Sequence, residues 1–262
     1  LGGLRIERAL ARGASGTLYL AVAAGREQPL ALKVFDAPAG GDADAFVREV
    51  QALRRLAHPS IVEVHAAGVE RGHAYLATAL LPGTDLRRYT RAARLLPEPL
   101  VVRIGVQVAQ ALQHAHEAGV VHRDLKPANL VFDPSTRRVW ITDFGAARLA
   151  DAQRTRTGVL IGTPAYMPPE QLAGSAASAA GDIHALGATL FQLLAAELPY
   201  AGATMGELLR AIARGERRPL GALRPDLPAA LARLIDDALN PDAARRPDAA
   251  SFAHRLAAVA LA

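Results

Sequence analysis

Residues 120–132 of the chain read VVHRDLKPANLVF and set polar side chains among apolar ones that favour burial. The polar members are His122, Arg123, Asp124, Lys126 and Asn129. A buried polar group that finds no partner costs about 1–3 kcal/mol, so a chain selected only for stability would avoid this pattern. Either these groups satisfy one another in a structural network or they are held for chemistry. In both cases the fold must enclose the stretch and supply partners for it.

Composition limits the chain to a folded protein without disulfides. Its 262 residues are 51% hydrophobic, which excludes a disordered chain and allows one large domain or two lobes with separate cores. It contains no cysteine, so thiolate metal sites are excluded and a cytoplasmic location is expected. No apolar run approaches the roughly 18 residues of a membrane helix, so we expect no membrane contact by this domain itself. Because the sequence lacks an initial methionine, we expect a domain cut from a longer protein, and the intracellular domain of a membrane-anchored protein is the alternative location.

The basic charge of the chain does not follow the pattern of nucleic-acid binding. The formal net charge is +5. The arginines occur as scattered pairs such as Arg54-Arg55, Arg87-Arg88 and Arg245-Arg246, not as a basic run with interleaved aromatic residues. Only 5% of the residues are aromatic, which leaves no stacking platform for bases. We therefore expect a solvated basic surface and no nucleic-acid partner.

Hydrophobic periodicity predicts a first part that is rich in short strands and a second part that is mainly helical. The strands fall within residues 4–35 and 61–81, and a helix at 42–59 lies between them. After a loop at 80–85, the main predicted segments of the second part are a helix at 99–119 ended by Gly119, a surface loop at 173–181 and a buried helix at 181–199. A small strand-rich lobe and a larger helical lobe would leave a cleft between them.

A glycine-containing segment and a lysine favour phosphate binding in the first part. Gly13 and Gly16 in ALARGASGTLYLA (9–21) allow backbone N–H groups to approach a phosphate, and the alternative is an ordinary glycine turn. In LALKVF (30–35), strand alternation places Lys33 on the same face as Ala31 and Phe35. Its ammonium group could then face the cleft, although an isolated lysine on an edge strand usually extends into solvent.

Glu49 favours the functional interpretation of Lys33. It lies on the apolar face of the predicted helix, three residues after Phe46 and four before Leu53. A carboxylate on that face is costly unless it is paired, and Lys33 on a neighbouring strand is a natural partner. A lysine held by a glutamate would present a fixed positive charge to phosphate oxygens.

Side chains that could bind a metal ion through oxygen lie on two separate segments of the sequence. Residues 139–141 predict a buried strand that ends at Asp143. Asp124, Asn129 and Asp143 are oxygen donors suited to a hard cation such as Mg²⁺. Two metal ligands, a separate carboxylate, a Lys–Glu pair and a glycine loop together indicate phosphoryl transfer.

The order of the motifs resembles that of eukaryotic-type (Hanks-type) serine/threonine protein kinases of the bacterial branch. The motifs are LARGASGTLYLA, ALKVF, REV, HRDLKPAN, DFG, GTPAYMPPE, GDIHALG and ARRPDA, and they cover nearly the whole chain. The resemblance implies an α+β, two-lobed protein-kinase fold, with a small β-rich N-lobe that carries one regulatory helix and a larger, mainly helical C-lobe. Residues 1–262 would form one catalytic domain, with the N-lobe at 1–79, the hinge at 80–85 and the C-lobe at 86–262.

The resemblance also implies a serine/threonine protein kinase that uses ATP as co-substrate with Mg²⁺ or Mn²⁺. Lys33, oriented by Glu49, would hold the α- and β-phosphates. Asp124 would accept the proton of the substrate hydroxyl, and Lys126 would neutralise the transferring phosphoryl group. The implied metal ligands are Asn129 and Asp143. The implied nucleotide-binding residues are Ala11, Gly13, Gly16, Leu18, Ala31, Lys33, Thr78, Ala79, Leu81 and Val131.

Further residues receive structural or regulatory roles from the resemblance. Asp182 would anchor the backbone around Arg123, Glu170 would pair with Arg246, His122 would be scaffold, and Thr163 would hydrogen-bond Asp124 and Lys126. The segment RTRTGVLIGT (154–163) predicts autophosphorylation at Thr155 or Thr157, with a homodimer as one route, because nearby arginines could bind the phosphate. Protein substrates are the expected partners.

Departures from the family pattern remove no catalytic group. Ala11 replaces the first glycine of the loop, Ala79 replaces a frequent hinge glutamate, PPE (168–170) replaces Ala-Pro-Glu, and Asn240-Pro241 stands where Asp-Pro is usual. Two alternative functions stay open. A nucleotide-binding pseudokinase or scaffold is disfavoured because the lysine and both aspartates are present. A small-molecule kinase of the aminoglycoside type is disfavoured because GTPAYMPPE is typical of a peptide-docking segment.

Overall fold

The computed structural model describes residues 1–13, 16–26, 28–35, 50–144 and 164–260. These residues divide into two compact units. The first unit holds the described residues of Leu1–Pro82 together with Phe144, and the second holds those of Gly83–Asp143 and of 164–260. The change from one unit to the other after Pro82 falls within the segment 80–85 that the sequence marks as a hinge.

Five antiparallel strands form the sheet of the first unit, in the order β1-β2-β3-β5-β4. The strands are β1 (Leu4–Gly13), β2 (Gly16–Ala23), β3 (Leu30–Val34), β4 (Val64–Glu70) and β5 (His73–Ala79). All lie within the ranges predicted as strands. Alternation along β3 explains the packing: Leu30 and Leu32 are buried in one apolar cluster with Leu4, Ala21, Tyr75 and Ala77. Phe35, just past β3, joins a second cluster with Val50, Ala74 and Leu76.

The helix predicted at 42–59 ends earlier than predicted. Residues 42–49 lie outside the described residues, residues 50–53 are helical, and the chain turns at 54–55. Backbone bonds of 3.1 Å from Arg55 N to Ala52 O and of 3.0 Å from Leu56 N to Leu53 O tighten this last turn. The proline at position 59 already prevents a helix from reaching the predicted end, because helical backbone is disfavoured before proline.

The second unit combines a three-stranded sheet with helices. Its sheet has the order β6-β7-β8, with β6 (Thr84–Asp85), β7 (Leu130–Asp133) and β8 (Arg138–Ile141). The α-helices described in this unit are α1 (Glu98–Glu117), α2 (Pro169–Leu172), α3 (Ala179–Ala195), α4 (Met205–Arg214), α5 (Leu220–Leu223), α6 (Ala229–Ala238) and α7 (Ala249–Ala260). Short 3₁₀ helices lie at Leu86–Tyr89, Ala92–Arg94, Pro127–Asn129, Pro164–Tyr166 and Ala243–Arg245.

Helix ends follow local capping chemistry. The predicted end of α1 at Gly119 is confirmed: Gly119 has φ +74° and donates to His116 O at 2.9 Å, as in a glycine C-cap. The prediction for α3 was wrong by a few residues at both ends. Ser178 caps the helix by accepting from Gly181 N, so residues 179–181 of the predicted surface loop are helical. The helix ends at Ala195, because the C-cap residue Ala196 has φ +58°, in the left-handed region.

The core of the second unit lies around α3 and α1. Helix α3 is buried nearly all round, as its apolar sequence predicted. Helix α1 packs on α7, on α3 and on β8, and its fully buried side chains include Ile104, Val108 and Leu112. Among the described residues, no helix combines the length and the apolar character needed to cross a membrane.

Candidate active site

Asp182 at the start of α3 organises the polar stretch at residues 122–129. It is 1% exposed, and its carboxylate accepts from His122 N at 2.8 Å and from Arg123 N at 2.9 Å. His116 Nε2 on α1 lies 2.9 Å from the same carboxylate. Arg123 has φ +75°, an uncommon conformation for a non-glycine residue, and its bonded N–H helps to hold it there. The predicted anchoring of Arg123 by Asp182 is confirmed.

His122 belongs to the scaffold, as predicted. Its side chain is fully buried, and Nε2 lies 2.9 Å from the carbonyl oxygen of Thr142. This bond joins the polar stretch to the end of β8. Nδ1 accepts from the backbone N–H of Asp124 at 3.3 Å, so both ring nitrogens contact backbone groups and the buried imidazole fixes the loop.

Asp124, Lys126 and Asn129 form one compact group. Lys126 Nζ lies 2.6 Å from Asp124 Oδ2. The amide nitrogen of Asn129 donates to the carbonyl oxygen of Asp124 at 2.7 Å and approaches Oδ2 at 3.3 Å. Asn129 is 6% exposed, whereas the Asp124 side chain is 33% exposed. The carboxylate is therefore held from one side and open to a substrate from another.

The oxygen atoms of Asn129 and Asp143 suit a hard cation whose other ligands come from phosphates and water. Because the amide nitrogen of Asn129 is bonded to Asp124, its Oδ1 is the atom that could bind a cation. Thr142 donates to the carbonyl oxygen of Asn129 from its N–H (2.9 Å) and its hydroxyl (3.2 Å), which places Asp143 next along the chain. Asp143 has φ +60°. The described residues contain no cluster of three or more His, Cys, Asp or Glu side chains for a metal, and Mg²⁺ commonly completes its shell with phosphates and water.

In the first unit, strand register brings together five predicted nucleotide-contacting residues. Ala11 pairs with Leu18, and Leu18 pairs with Lys33. Ala31 pairs with Thr78. Directly paired residues of an antiparallel sheet share a face, and Ala31 and Lys33 share it because they are two residues apart. Lys33 Nζ lies 5.3 Å from the centre of the Phe35 ring, as the predicted alternation requires.

The two glycines of the predicted phosphate loop differ in what they do. Gly16 is buried and has φ +136°, and a Cβ there would collide with the carbonyl oxygen of Val34 and lie 2.9 Å from Phe35 Cα. Its lack of a side chain is therefore needed for the approach of β2 to β3. Gly13 is exposed, and the nearest atom to a Cβ there would be Gly16 O at 3.9 Å. Steric packing thus explains Gly16 and leaves Gly13 unexplained.

The remaining predicted nucleotide-binding residues lie at strand ends or on β7. Ala79 ends β5, and its N–H donates to Glu63 O at 3.0 Å. Leu81 lies two residues beyond that strand and is half-buried. Val131 belongs to β7, where it pairs with Asp85 and Trp140. Four residues to which the sequence assigns a site or regulatory role lie outside the described residues: Glu49, Thr155, Thr157 and Thr163.

A pair formed by Glu170 and Arg246 supports the segment that begins at residue 164. The predicted pair is confirmed: Arg246 Nη1 and Nη2 donate to the two carboxylate oxygens of Glu170 at 2.7 and 2.8 Å. Burial raises the pKa of Glu170, but the bonds and charge of Arg246 outweigh it and leave that pKa below its usual value. Fully buried His184 lies nearby, with Nδ1 3.4 Å from Tyr166 O. A small surface pocket beside Asp124 is lined partly by Arg123, Tyr166, Met167 and Gln171.

Two residues of the site, His116 and Thr142, were not predicted from the sequence. His116 contributes to the Asp182 network, and its one available signal is helical periodicity, since it follows fully buried Leu112 by four residues. Thr142 links His122 and Asn129, and nothing in its local sequence distinguishes it from an ordinary residue at a strand end.

Comparison with known proteins gives consistent matches over nearly the whole chain. The family described as protein kinase domain matches residues 4–256. The serine/threonine-protein kinase PknJ of Mycobacterium tuberculosis is 39% identical over 267 residues, covering 98% of this chain and 45% of that protein. The serine/threonine-protein kinase PkaA of Streptomyces coelicolor is 36% identical over 273 residues, covering 97% and 49%. The chain thus spans about half the length of these curated relatives.

A solved structure agrees with the sequence matches. The crystal structure of Rad53 1-466 in complex with AMP-PNP aligns with a TM-score of 0.82 and 26% sequence identity. The alignment covers 97% of this chain and 64% of that one.

Proposed function

The chain belongs to the protein kinase domain family, and from this premise we propose that it transfers the γ-phosphoryl group of ATP to serine or threonine hydroxyls of proteins. The fold is the α+β protein kinase fold. The observation that carries the proposal is the group formed by Asp124, Lys126 and Asn129, in which a carboxylate is held by two donors and still open to substrate.

The acceptor side of the reaction rests on Asp124. A substrate hydroxyl gives its proton to this carboxylate while its oxygen bonds to the γ-phosphorus, and the bond from that phosphorus to the bridging oxygen of ADP breaks. Lys126 offsets negative charge on the transferring group, because its ammonium already lies beside Asp124. A positioned base and a positioned cation act here without covalent participation of the protein.

The nucleotide side uses ATP with a divalent cation, as the family does. Mg²⁺, with Mn²⁺ as a substitute, is the cation we propose, bound through Asn129 Oδ1 and the carboxylate of Asp143. It would supply positive charge to the phosphate oxygens. Lys33, oriented by Glu49, binds the α- and β-phosphates.

The remaining nucleotide contacts follow the sequence expectation. We assign the glycine loop to the phosphates through Gly13 and Gly16. Ala11 belongs to the same loop, at the position of its first glycine, and Leu18, Ala31, Thr78, Ala79, Leu81 and Val131 are assigned to the adenosine part. The shared sheet face of Ala11, Leu18, Ala31 and Thr78 supports this assignment. The need for ATP also supports a cytoplasmic location.

Activation by autophosphorylation at Thr155 or Thr157 is a further part of the proposal, with a homodimer as one route. Arg123 supports it, because its backbone is fixed beside Asp124 and a phosphate on the following segment could bind its guanidinium group. Mass spectrometry after incubation with Mg-ATP tests it. An unmodified 154–163 segment would contradict it.

Radiolabel transfer from [γ-³²P]ATP tests the proposed reaction. The purified chain is incubated with a mixture of generic proteins, with an aminoglycoside, or with buffer alone. We expect label on protein, as phosphoserine and phosphothreonine after acid hydrolysis. Label on the aminoglycoside only would identify a small-molecule kinase, and no label anywhere, with nucleotide still bound, would identify a pseudokinase.

A further inference from the structure

Four exposed arginines of the second unit have no role in the proposed reaction. They are Arg87, Arg88, Arg91 and Arg94, and they lie in or beside the 3₁₀ helices Leu86–Tyr89 and Ala92–Arg94. Residues 86–97, the arginine segment, contain no acidic residue. The pair Arg87-Arg88 is thus followed within six residues by two further arginines, Arg91 and Arg94.

Only one of these arginines is neutralised within the described part of the chain. Arg87 binds Asp85 with both ends of its guanidinium group, Nε to Oδ1 at 2.8 Å and Nη2 to Oδ2 at 2.7 Å. None of the described carboxylates forms an ion pair with Arg88, Arg91 or Arg94. Like charges three residues apart repel one another, so an anion bound among them would relieve that repulsion.

The arginine segment is anchored to the strand that follows the catalytic group. Leu86 is fully buried, and the ring of Tyr89 meets the ring of Phe132 on β7 edge to face at 6.0 Å. The preceding strand β6 pairs with β7, Asp85 opposite Val131. These contacts hold the backbone of the segment in place, while its arginine side chains extend into solvent.

The same segment packs against the residues that carry the proposed chemistry. The 3₁₀ helix Leu86–Tyr89 contacts the 3₁₀ helix Pro127–Asn129, which begins directly after Lys126 and ends at Asn129. This contact puts the start of the arginine segment beside the loop that carries Asp124 and Lys126, so residues that flank a hydroxyl bound at Asp124 could reach it.

We infer that Arg88, Arg91 and Arg94 bind acidic side chains of the protein substrate close to the phosphorylated serine or threonine, an inference that rests on the proposed function. Guanidinium groups bind carboxylates and phosphates with paired hydrogen bonds, and both groups supply the same negative charge. The substrate class is thus a protein with aspartate or glutamate around the acceptor, and preference for a phosphorylated sequence is one outcome of the test.

The test compares peptides with one acceptor and different flanking residues. One set carries glutamate, one phosphoserine, one neutral residues and one lysine around the same threonine. For the wild-type chain we expect a KM about fivefold or more lower for the acidic peptides than for the neutral one. The triple variant Arg88→Ala/Arg91→Ala/Arg94→Ala should lose this difference with kcat unchanged. Its matched control is Arg55→Ala/Arg103→Ala/Arg233→Ala, which removes three exposed arginines elsewhere and should keep the preference.

Binding of peptides that carry alanine at the acceptor position separates this inference from the proposed reaction. Fluorescence anisotropy should show tighter binding of the acidic alanine peptides to the wild-type chain than to the triple variant, even if no peptide is phosphorylated. Tighter binding of phosphoserine than of glutamate would identify phosphorylated proteins as the substrates, and the reverse order would identify acidic ones. Equal affinity of both chains would overturn the inference. So would binding to phosphatidylserine vesicles without any preference for acidic peptides, since the surface would then serve a membrane.

Discussion

Lys126 Nζ lies 2.6 Å from Asp124 Oδ2, and the amide of Asn129 approaches the same oxygen at 3.3 Å. The two donors reach Asp124 from residues two and five positions further along the chain. Because Asn129 is buried and also bonds the carbonyl oxygen of Asp124, the carboxylate is oriented before any substrate arrives. Such preorganisation is what a positioned base requires.

Asp124 and Asp143 should differ in their effect on nucleotide binding. Asp124→Asn should leave the affinity for Mg-ATP within about threefold, because Asp124 is assigned to the substrate hydroxyl. Asp143→Asn should weaken it by about tenfold or more, because a charged metal ligand is lost. Isothermal titration with a non-hydrolysable ATP analogue, with and without Mg²⁺, measures both. Equal losses in the two variants would contradict the division of roles.

Asp182→Ala should destabilise the second unit strongly. The N–H groups of His122 and Arg123 would lose a charged acceptor in a buried setting, at a cost of about 3 kcal/mol. The matched control is Asp237→Ala, which removes an exposed carboxylate paired with Arg255 and should cost under about 1 kcal/mol. Urea unfolding of both variants gives the comparison. Similar small losses would show that Asp182 does not hold the loop.

Gly16→Ala and Gly13→Ala should separate folding from phosphate binding. At Gly16 a methyl group meets Val34 O and the backbone must keep φ +136°, so we expect a loss of about 2 kcal/mol or more in stability. At Gly13 there is room for the methyl group, so the melting temperature should hold while KM for ATP rises. Thermal melting without nucleotide and ATP kinetics decide it. Unchanged melting for Gly16→Ala would disprove the steric role.

His184 should make stability fall as the pH drops below 6.5. Burial, with the charge of Arg246 adding to it, lowers the pKa of His184 to about 3, against an ordinary value of 6.5, while the bond to Tyr166 O and the charge of Glu170 oppose the shift. Between these values the unfolded chain binds a proton that the folded chain does not. The contribution of this group is therefore complete above pH 6.5 and declines toward pH 3, by up to about 1.4 kcal/mol per pH unit.

The variant His184→Asn tests this by removing the titration while keeping a donor that could reach Tyr166 O. Urea unfolding at pH 7.5 and pH 5.0 should show that the wild-type chain loses about 2 kcal/mol more than the variant between the two values. Parallel losses would mean that His184 is protonated in the folded protein or does not titrate in this range.

Whether a segment is a strand or a helix could be predicted from the sequence, because the buried apolar side chains of each recur with a fixed period along the chain. In β3, the buried side chains of Leu30 and Leu32 alternate with Lys33, as predicted. The ends of the helices were predicted less accurately, because a helix end depends on a single capping contact. Ser178 starts α3 in a stretch of small residues, where hydrophobic periodicity carried no signal.

Within the candidate site, contacts between residues of recognisable motifs were predicted, whereas contacts that depend on tertiary packing alone were not. Asp182 and Arg246 were assigned correctly through the resemblance, since each belongs to a recognisable motif. His116 was missed because its local pattern resembles that of His114 on the same helix, and only tertiary packing brings one of them to Asp182. The steric role of Gly16 depends on Val34, which lies on another strand and leaves no trace in the local sequence.

The most direct test of the proposed function is the initial rate of γ-phosphoryl transfer to protein serine and threonine at saturating Mg-ATP. It compares the wild-type chain with Asp124→Asn, after nucleotide binding by the variant has been verified. The wild-type chain should transfer label, and Asp124→Asn should lower kcat by at least about a hundredfold, in line with the loss of a positioned base. No transfer by the wild-type chain, or equal rates for both, would contradict the account.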